Sequence, residues 1–122
     1  MNLRWLPALL WGIVIFVLSL MPGGNADKMM FGIPHFDKIG HFGMYAGWAF
    51  LVFGALPGKS VRFAFFFTLL LCGMSGVLLE FGQLYLATGR SFEVADMVAN
   101  TLGAFVGLLV AWKSRQMRRG RV

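Results

Sequence analysis

The chain has 122 residues, of which 58% are apolar and only 13% charged, with 13 phenylalanines and a net charge of +6. Soluble globular chains carry about twice that share of charge, so the composition excludes an ordinary soluble domain and points to a single integral membrane domain. A nucleic-acid-binding role is excluded as well: the positive excess lies largely in the tail KSRQMRRGRV, directly behind an apolar run, and no soluble stretch is long enough to fold into a basic surface.

Four apolar runs approach or exceed the roughly 20 residues that span a bilayer. The first covers about residues 4–21, carries Pro7 in its first turn, where a missing N–H does no harm, and ends at PGGNAD. A signal peptide is the competing reading, but the run is long for a signal sequence and a retained span is expected. The second run covers about 36–56 and stops at PGKS; the third covers about 61–87 and closes at TGR; the fourth covers about 93–112. Runs two and three could form one hairpin that does not fully cross, although their lengths favour complete spans. Cys72 is the only cysteine, lies inside the third run, and is expected to be buried and inert. The Phe-rich FAFFF of the same run is expected to face lipid. The fold expected is all-α: an integral membrane four-helix bundle formed by one domain over residues 1–122, with a basic tail at 113–122.

Loop charges orient these spans. Arg4 precedes the first, Lys59 and Arg62 lie between the second and third, and Lys113, Arg115, Arg118, Arg119 and Arg121 follow the fourth. In the other loops Asp27 with Lys28, Asp37 with Lys38, and Arg90 with Glu93 cancel. The positive-inside rule then puts both termini in the cytoplasm and the loops near 22–36 and 88–92 outside, with Trp5 and Trp112 at the cytoplasmic interface.

In that orientation the unusual polar residues share one depth. Asp37, Lys38 and His41 begin span two, Glu80 and Gln83 lie near the outer end of span three, Arg90 is in the outer loop, and Glu93, Asp96 and Asn100 begin span four. Asp37 with His41 and Asp96 with Asn100 are spaced i,i+4, and Glu80 with Gln83 i,i+3, so each pair shares a helix face. Gly73 and Gly76 continue the face of Glu80; Gly103 or Ala104 and then Gly107 continue that of Asn100. GMYAG at 43–47 and GAFVG at 103–107 fit the small-xxx-small pattern of close helix approach. These faces are expected to turn inward, because a charge at the bilayer centre costs at least about 2.5–3.5 kcal/mol.

Each element has two readings. Asp37, Lys38 and His41 are an ordinary helix start, or His41 is a proton acceptor or ligand oriented by a carboxylate. Glu80 and Gln83 are an interhelical clasp or a functional intramembrane pair. Arg90 anchors at headgroups or pairs with Glu93 or Asp96, or its planar fork holds a phosphate. Asp96 and Asn100 pack the start of a helix or form the wall of a site.

FDKIGHFGMY and LLEFGQLYLATGRSFEVADMVANTLGAFVG resemble the VanZ-like family of small bacterial membrane proteins. The family's Asp-Lys-x-x-His block falls on Asp37, Lys38 and His41, and its Glu-x-x-Gln pair on Glu80 and Gln83. Its arginine near the third outer loop falls on Arg90, and its Asp-x-x-x-Asn on Asp96 and Asn100, followed by Gly103, Ala104 and Gly107. The end of span one, SLMPG, matches the family's Ser-x-x-Pro at Ser19 and Pro22. The resemblance covers essentially the whole chain; Glu93 stands where Asp is more usual, and the carboxylate is kept. It implies a membrane location and an envelope role. The family is named for a member associated with low-level resistance to teicoplanin, a lipidated glycopeptide acting at the outer face of the cytoplasmic membrane. No settled biochemical activity comes with the resemblance.

Residues and resemblance together point to a multi-pass protein of the bacterial cytoplasmic (inner) membrane. A polar site in its extracytoplasmic half would bind an amphipathic envelope molecule such as a lipid or lipid-linked precursor. His41, Glu80 and Asp96 are the catalytic candidates for acid/base work; Asp37, Lys38, Gln83, Arg90, Glu93 and Asn100 are the ligand-binding candidates. Whether the site is enzymatic stays open. Arg90 and Lys38 would meet a phosphate, yet carboxylates outnumber cations. A divalent cation would repair that balance, although no ligand spacing is diagnostic and no resident cofactor is expected. The alternatives are a small transporter or proton-coupled channel component, and a non-enzymatic scaffold. Expected partners are membrane lipids, a lipid-linked or lipidated small molecule, and further copies of the chain.

Overall fold

The computed structural model describes residues 2–21, 36–86 and 93–121. A 3₁₀ turn, Leu3–Trp5, leads into α1, Leu6–Ser19; α2 covers Phe36–Gly54, α3 Val61–Tyr85 and α4 Val94–Arg119. The described residues contain no strand. Helices α3 and α4 are long and apolar enough to cross a membrane. Helix α1 has 14 residues, shorter than the expected run, because the chain enters it through the 3₁₀ turn with Pro7 at the start of the helix proper. The break between α2 and α3 follows from Pro57 and Gly58, after which Ser60 caps α3 by accepting the Phe63 backbone N–H at 3.1 Å. Helix α4 does not stop at the end of its apolar run near 112 but continues through the basic segment to Arg119.

Helix α2 touches each of the other three, most extensively α4. That contact depends on Gly103 and Gly107, where an added Cβ would overlap the backbone carbonyls of Phe42 and Ala46. Gly43 and Gly47 of α2 do not share in it: Gly43 faces open space, and Gly47 lies beneath the Trp11 indole of α1, which a Cβ there would meet at 3.4 Å. Gly73 of α3 also faces open space rather than a neighbouring helix. Helices α1 and α2 exchange tryptophans. Trp11 donates to the Met44 carbonyl and Trp48 to the Ala8 carbonyl, both at 2.9 Å. Each indole covers a glycine of the opposite helix, Trp48 over Gly12 and Trp11 over Gly47.

The distribution of polarity is inverted relative to a soluble fold. Phe66, Leu70 and Leu78 of α3 are about two-thirds exposed, whereas His41, Glu80, Gln83, Asp96 and Asn100 are buried. Within FAFFF, Phe63, Phe66 and Phe67 are exposed and Ala64 is buried. Cys72 is fully buried in the apolar core with Tyr45, Phe53 and Leu108. Chain direction alternates, so Trp5 meets Phe67 edge-on at 6.4 Å between ring centres, and the Arg115 guanidinium of α4 reaches the end of α2. Arg4, Lys59, Arg62 and the basic segment of α4 therefore gather at one end of the molecule, and the buried polar residues near the other.

Candidate functional site

The polar layer is built where the first turns of α2 and α4 meet the last turns of α3. Lys38 lies between two carboxylates of α4, forming an ion pair with Glu93 and a second with Asp96 at 3.0 Å. Asp96 Oδ1 is fully buried and takes no directed hydrogen bond among the described residues, where Lys38 holds it as an ion pair. His41 sits one turn further along α2. Its Nδ1–H donates to Asn100 Oδ1 at 2.9 Å, and its Nε2 faces Asp96 Oδ2 at 3.7 Å. The imidazole thus stands between two oxygens of α4 that fix the plane of its ring.

Exposure falls steadily along this row. The Glu93 side chain is 42% exposed and that of Lys38 25%, against 6% for Asp96 and 4% for His41. The layer opens at the Lys38–Glu93 pair and closes inward at Asn100, whose amide packs against the bare backbone of Gly76; a Cβ there would meet it at 3.2 Å. The local sequence accounts for this placement. Glu93 is the N-cap of α4 and Asp96 lies in its first turn, where carboxylates are favoured by the unpaired N–H groups and the helix dipole.

Glu80 and Gln83 each make a hydrogen bond that joins two helices. Glu80 Oε1 accepts the backbone N–H of Glu93 at 2.7 Å, so α3 holds the start of α4. The Gln83 amide donates to the carbonyl of Ser19 at 2.8 Å and ties α3 to the last residue of α1. Of the residues singled out from the sequence, the structure brings together Lys38, His41, Glu93, Asp96 and Asn100 in one network, with Glu80 joined to it through the Glu93 backbone. Arg90 and the side chain of Asp37 lie outside what is described. Among the described residues no group of three or more His, Cys, Asp or Glu could hold a metal ion.

One residue of the layer escaped the sequence reading. Tyr45 is fully buried, and its hydroxyl has no hydrogen-bond partner among the described residues. It lies on α2 four residues after His41, a spacing that puts both on one helix face, and its ring lies close to Gly76 and to Trp48. The row Lys38, His41, Tyr45 along α2 is therefore a continuous polar edge. Chemically, the arrangement offers an accessible lysine and carboxylate at the mouth, and a carboxylate, an imidazole and a carboxamide behind them. It can pair with charge, and donate to and accept from a polar group.

No curated protein and no solved structure matches the chain. The family model described as VanZ/LLP1 matches residues 5–115, a range that includes every member of the polar layer, and the chain belongs to that family.

Proposed function

We propose that this VanZ/LLP1 member is a multi-pass inner-membrane four-helix bundle with both termini in the cytoplasm. Its polar layer, near the outer surface, binds the headgroup of an amphipathic envelope molecule such as a lipid-linked precursor. The observation that carries the reading is the convergence of Lys38, His41, Asp96 and Asn100 from two helices inside a molecule whose exterior is apolar. Ionisable groups at such depth are costly and are kept mostly for a task. Lys38 addresses a phosphate; Glu93, Asp96 and His41 address hydroxyl or amide groups. Acyl chains have a place nearby: two adjoining apolar grooves of about 300 and 350 Å³ share Gly12, Phe16 and Trp48. Together they run from Trp5 up to Leu20, Gly82 and Leu86 beside Gln83. Modification of the bound molecule would use His41 and Asp96 as the acid/base pair.

A scaffold role is the second reading, favoured by the use of Glu80 and Gln83 as helix clasps. The two separate in one experiment. The wild-type chain and its His41→Ala, Asp96→Asn and Arg90→Ala variants are expressed in a susceptible bacterium, and membrane level and thermal unfolding are measured beside sensitivity to teicoplanin and to a glycopeptide without a lipid tail. A binding site predicts that protection against the lipidated drug is lost beyond any loss of folded protein. Parallel loss of folded protein favours the scaffold, and a wild-type chain without effect on either drug removes the glycopeptide link. A reporter fused after Val122 that is active only in the cytoplasm tests the orientation.

A further inference from the structure

The end of the molecule opposite the polar layer holds a cavity of about 340 Å³ between the end of α2 and the last turns of α4, lined by Phe53, Pro57, Ser114, Arg115, Arg118 and Arg119, among others. That volume lies within the range of roughly 300–1,000 Å³ usual for small-molecule sites. Because α4 continues as a helix beyond its apolar run, Arg115, Arg118 and Arg119 fall at i, i+3 and i+4 and present three guanidinium groups on one face. An unfolded basic tail would not hold them so.

Arg115 is fixed in place. Its Nη2 donates to the carbonyls of Phe53 at 2.7 Å and Leu56 at 3.3 Å, and its guanidinium lies 3.9 Å from the centre of the Phe53 ring. Its Nη1 has no hydrogen-bond partner among the described residues. Burial, and then the positive charge of Arg119 nearby, lower its affinity for the proton. The repulsion has no local remedy, because no acidic residue follows Asp96 in the sequence and none lies between Gly54 and Arg62.

We propose that this cavity is a binding site for the phosphodiester headgroup of an anionic phospholipid. The planar forks of the arginines suit the paired oxygens of a phosphate, Ser114 adds a hydroxyl, and Phe50, Phe53 and Ala111 offer apolar walls to a glycerol backbone. A basic pocket between helices at the end of a membrane-length segment is where anionic headgroups bind. An orientation signal alone would need the charges, but neither the cavity nor the pinned Arg115. The proposal rests on the membrane reading above but not on the ligand of the polar layer.

The test uses the full chain in a neutral detergent, where no charged surface concentrates lipid, and measures by native mass spectrometry the retention of phosphatidylglycerol against phosphatidylcholine. Wild type is expected to retain phosphatidylglycerol selectively. The double variant Arg118→Gln/Arg119→Gln is expected to bind it about tenfold more weakly than Lys113→Gln/Arg121→Gln, which removes the same charge outside the cavity. Equal losses from both pairs, or no loss from either, would overturn the proposal. Inorganic phosphate displacing the lipid at comparable concentration, with the same dependence on Arg118 and Arg119, would assign the cavity to a free anion and overturn the lipid. Asp96→Asn is expected to leave phosphatidylglycerol binding unchanged, so a failure of the polar-layer reading does not carry over.

Discussion

At one end of the molecule Lys38 lies against Glu93 and Asp96, and His41 against Asp96 and Asn100. At the other, Arg115 leans on the carbonyls of Phe53 and Leu56, beside Arg118 and Arg119, in a stretch of sequence without a carboxylate. The first end compensates its charges from within and can bury them. The second compensates one guanidinium with two carbonyls at the end of helix α2 and leaves the rest to whatever surrounds the protein. Internal pairing ties the acidic end to the geometry of folding, since a buried ion that loses its partner has nowhere to turn. Outward-facing charge ties the basic end to lipid and salt. Variants at the two ends should therefore be felt in different measurements.

The largest effect is expected where a single contact supports both ends. Gly107→Leu would force α2 and α4 apart at Ala46, and overpacking of this kind costs about 3 kcal/mol or more when backbone is the obstacle. Thermal unfolding in detergent should show it, whereas Gly43→Ala and Gly73→Ala, facing open space, should stay within about 0.5 kcal/mol of wild type. A tolerated Gly107→Leu would mean that the α2–α4 crossing is not what holds the polar layer together.

Next comes Asp96→Asn, which removes a charge that both Lys38 and His41 face. Loss of about 2–3 kcal/mol is expected from the unsatisfied partners. Lys38→Met combined with Asp96→Leu should recover most of it, because an apolar replacement for a buried pair is often neutral or better. Recovery of stability without recovery of the drug phenotype would separate function from folding at this end. Arg115→Met is expected to cost less, about 1–2 kcal/mol, from one cation–π contact and two part-buried hydrogen bonds. Its unfolding should depend on added phosphatidylglycerol far less than that of wild type, and an unchanged dependence would break the contrast between the ends.

The acidic end was legible in the sequence because ionisable residues are rare in apolar runs, and the spacings of His41 from Lys38 and of Asn100 from Asp96 assign faces without any structure. The partners were less so. Glu80 reaches a backbone N–H thirteen positions further along the chain, and Gln83 a carbonyl of α1; backbone groups leave no trace in residue identity. Tyr45 was hidden because an aromatic in an apolar run looks like core, and only its distance from His41 marked it. Gly43, Gly47 and Gly73 show the limit of the small-residue pattern: it signals the capacity for close approach, while the neighbour decides which glycines use it. The continuation of α4 to Arg119 was missed because hydropathy ends near residue 112, whereas Lys, Arg, Gln and Met remain good helix formers.

The smallest effect is expected at the clasp between α3 and α1. Gln83 is buried and donates to the Ser19 carbonyl at 2.8 Å, which by the logic of soluble cores would make Gln83→Leu a serious loss. Within a bilayer the comparison state is different: a helix that has come away stays in the membrane and satisfies its own polar groups, so interhelical bonds of this kind average only about 0.6 kcal/mol. Helix α1 also keeps two other ties, the Trp11 bond to Met44 and the Trp48 bond to Ala8. Gln83→Leu should therefore leave unfolding almost unchanged, with a clear decrease only when combined with Trp48→Phe. If Gln83→Leu alone releases α1, measured as faster cross-linking of a cysteine introduced at Leu20 in a Cys72→Ala background, the clasp is as binding as the Lys38–Asp96 pair, and α1 belongs to the acidic end as firmly as α2 and α4 do.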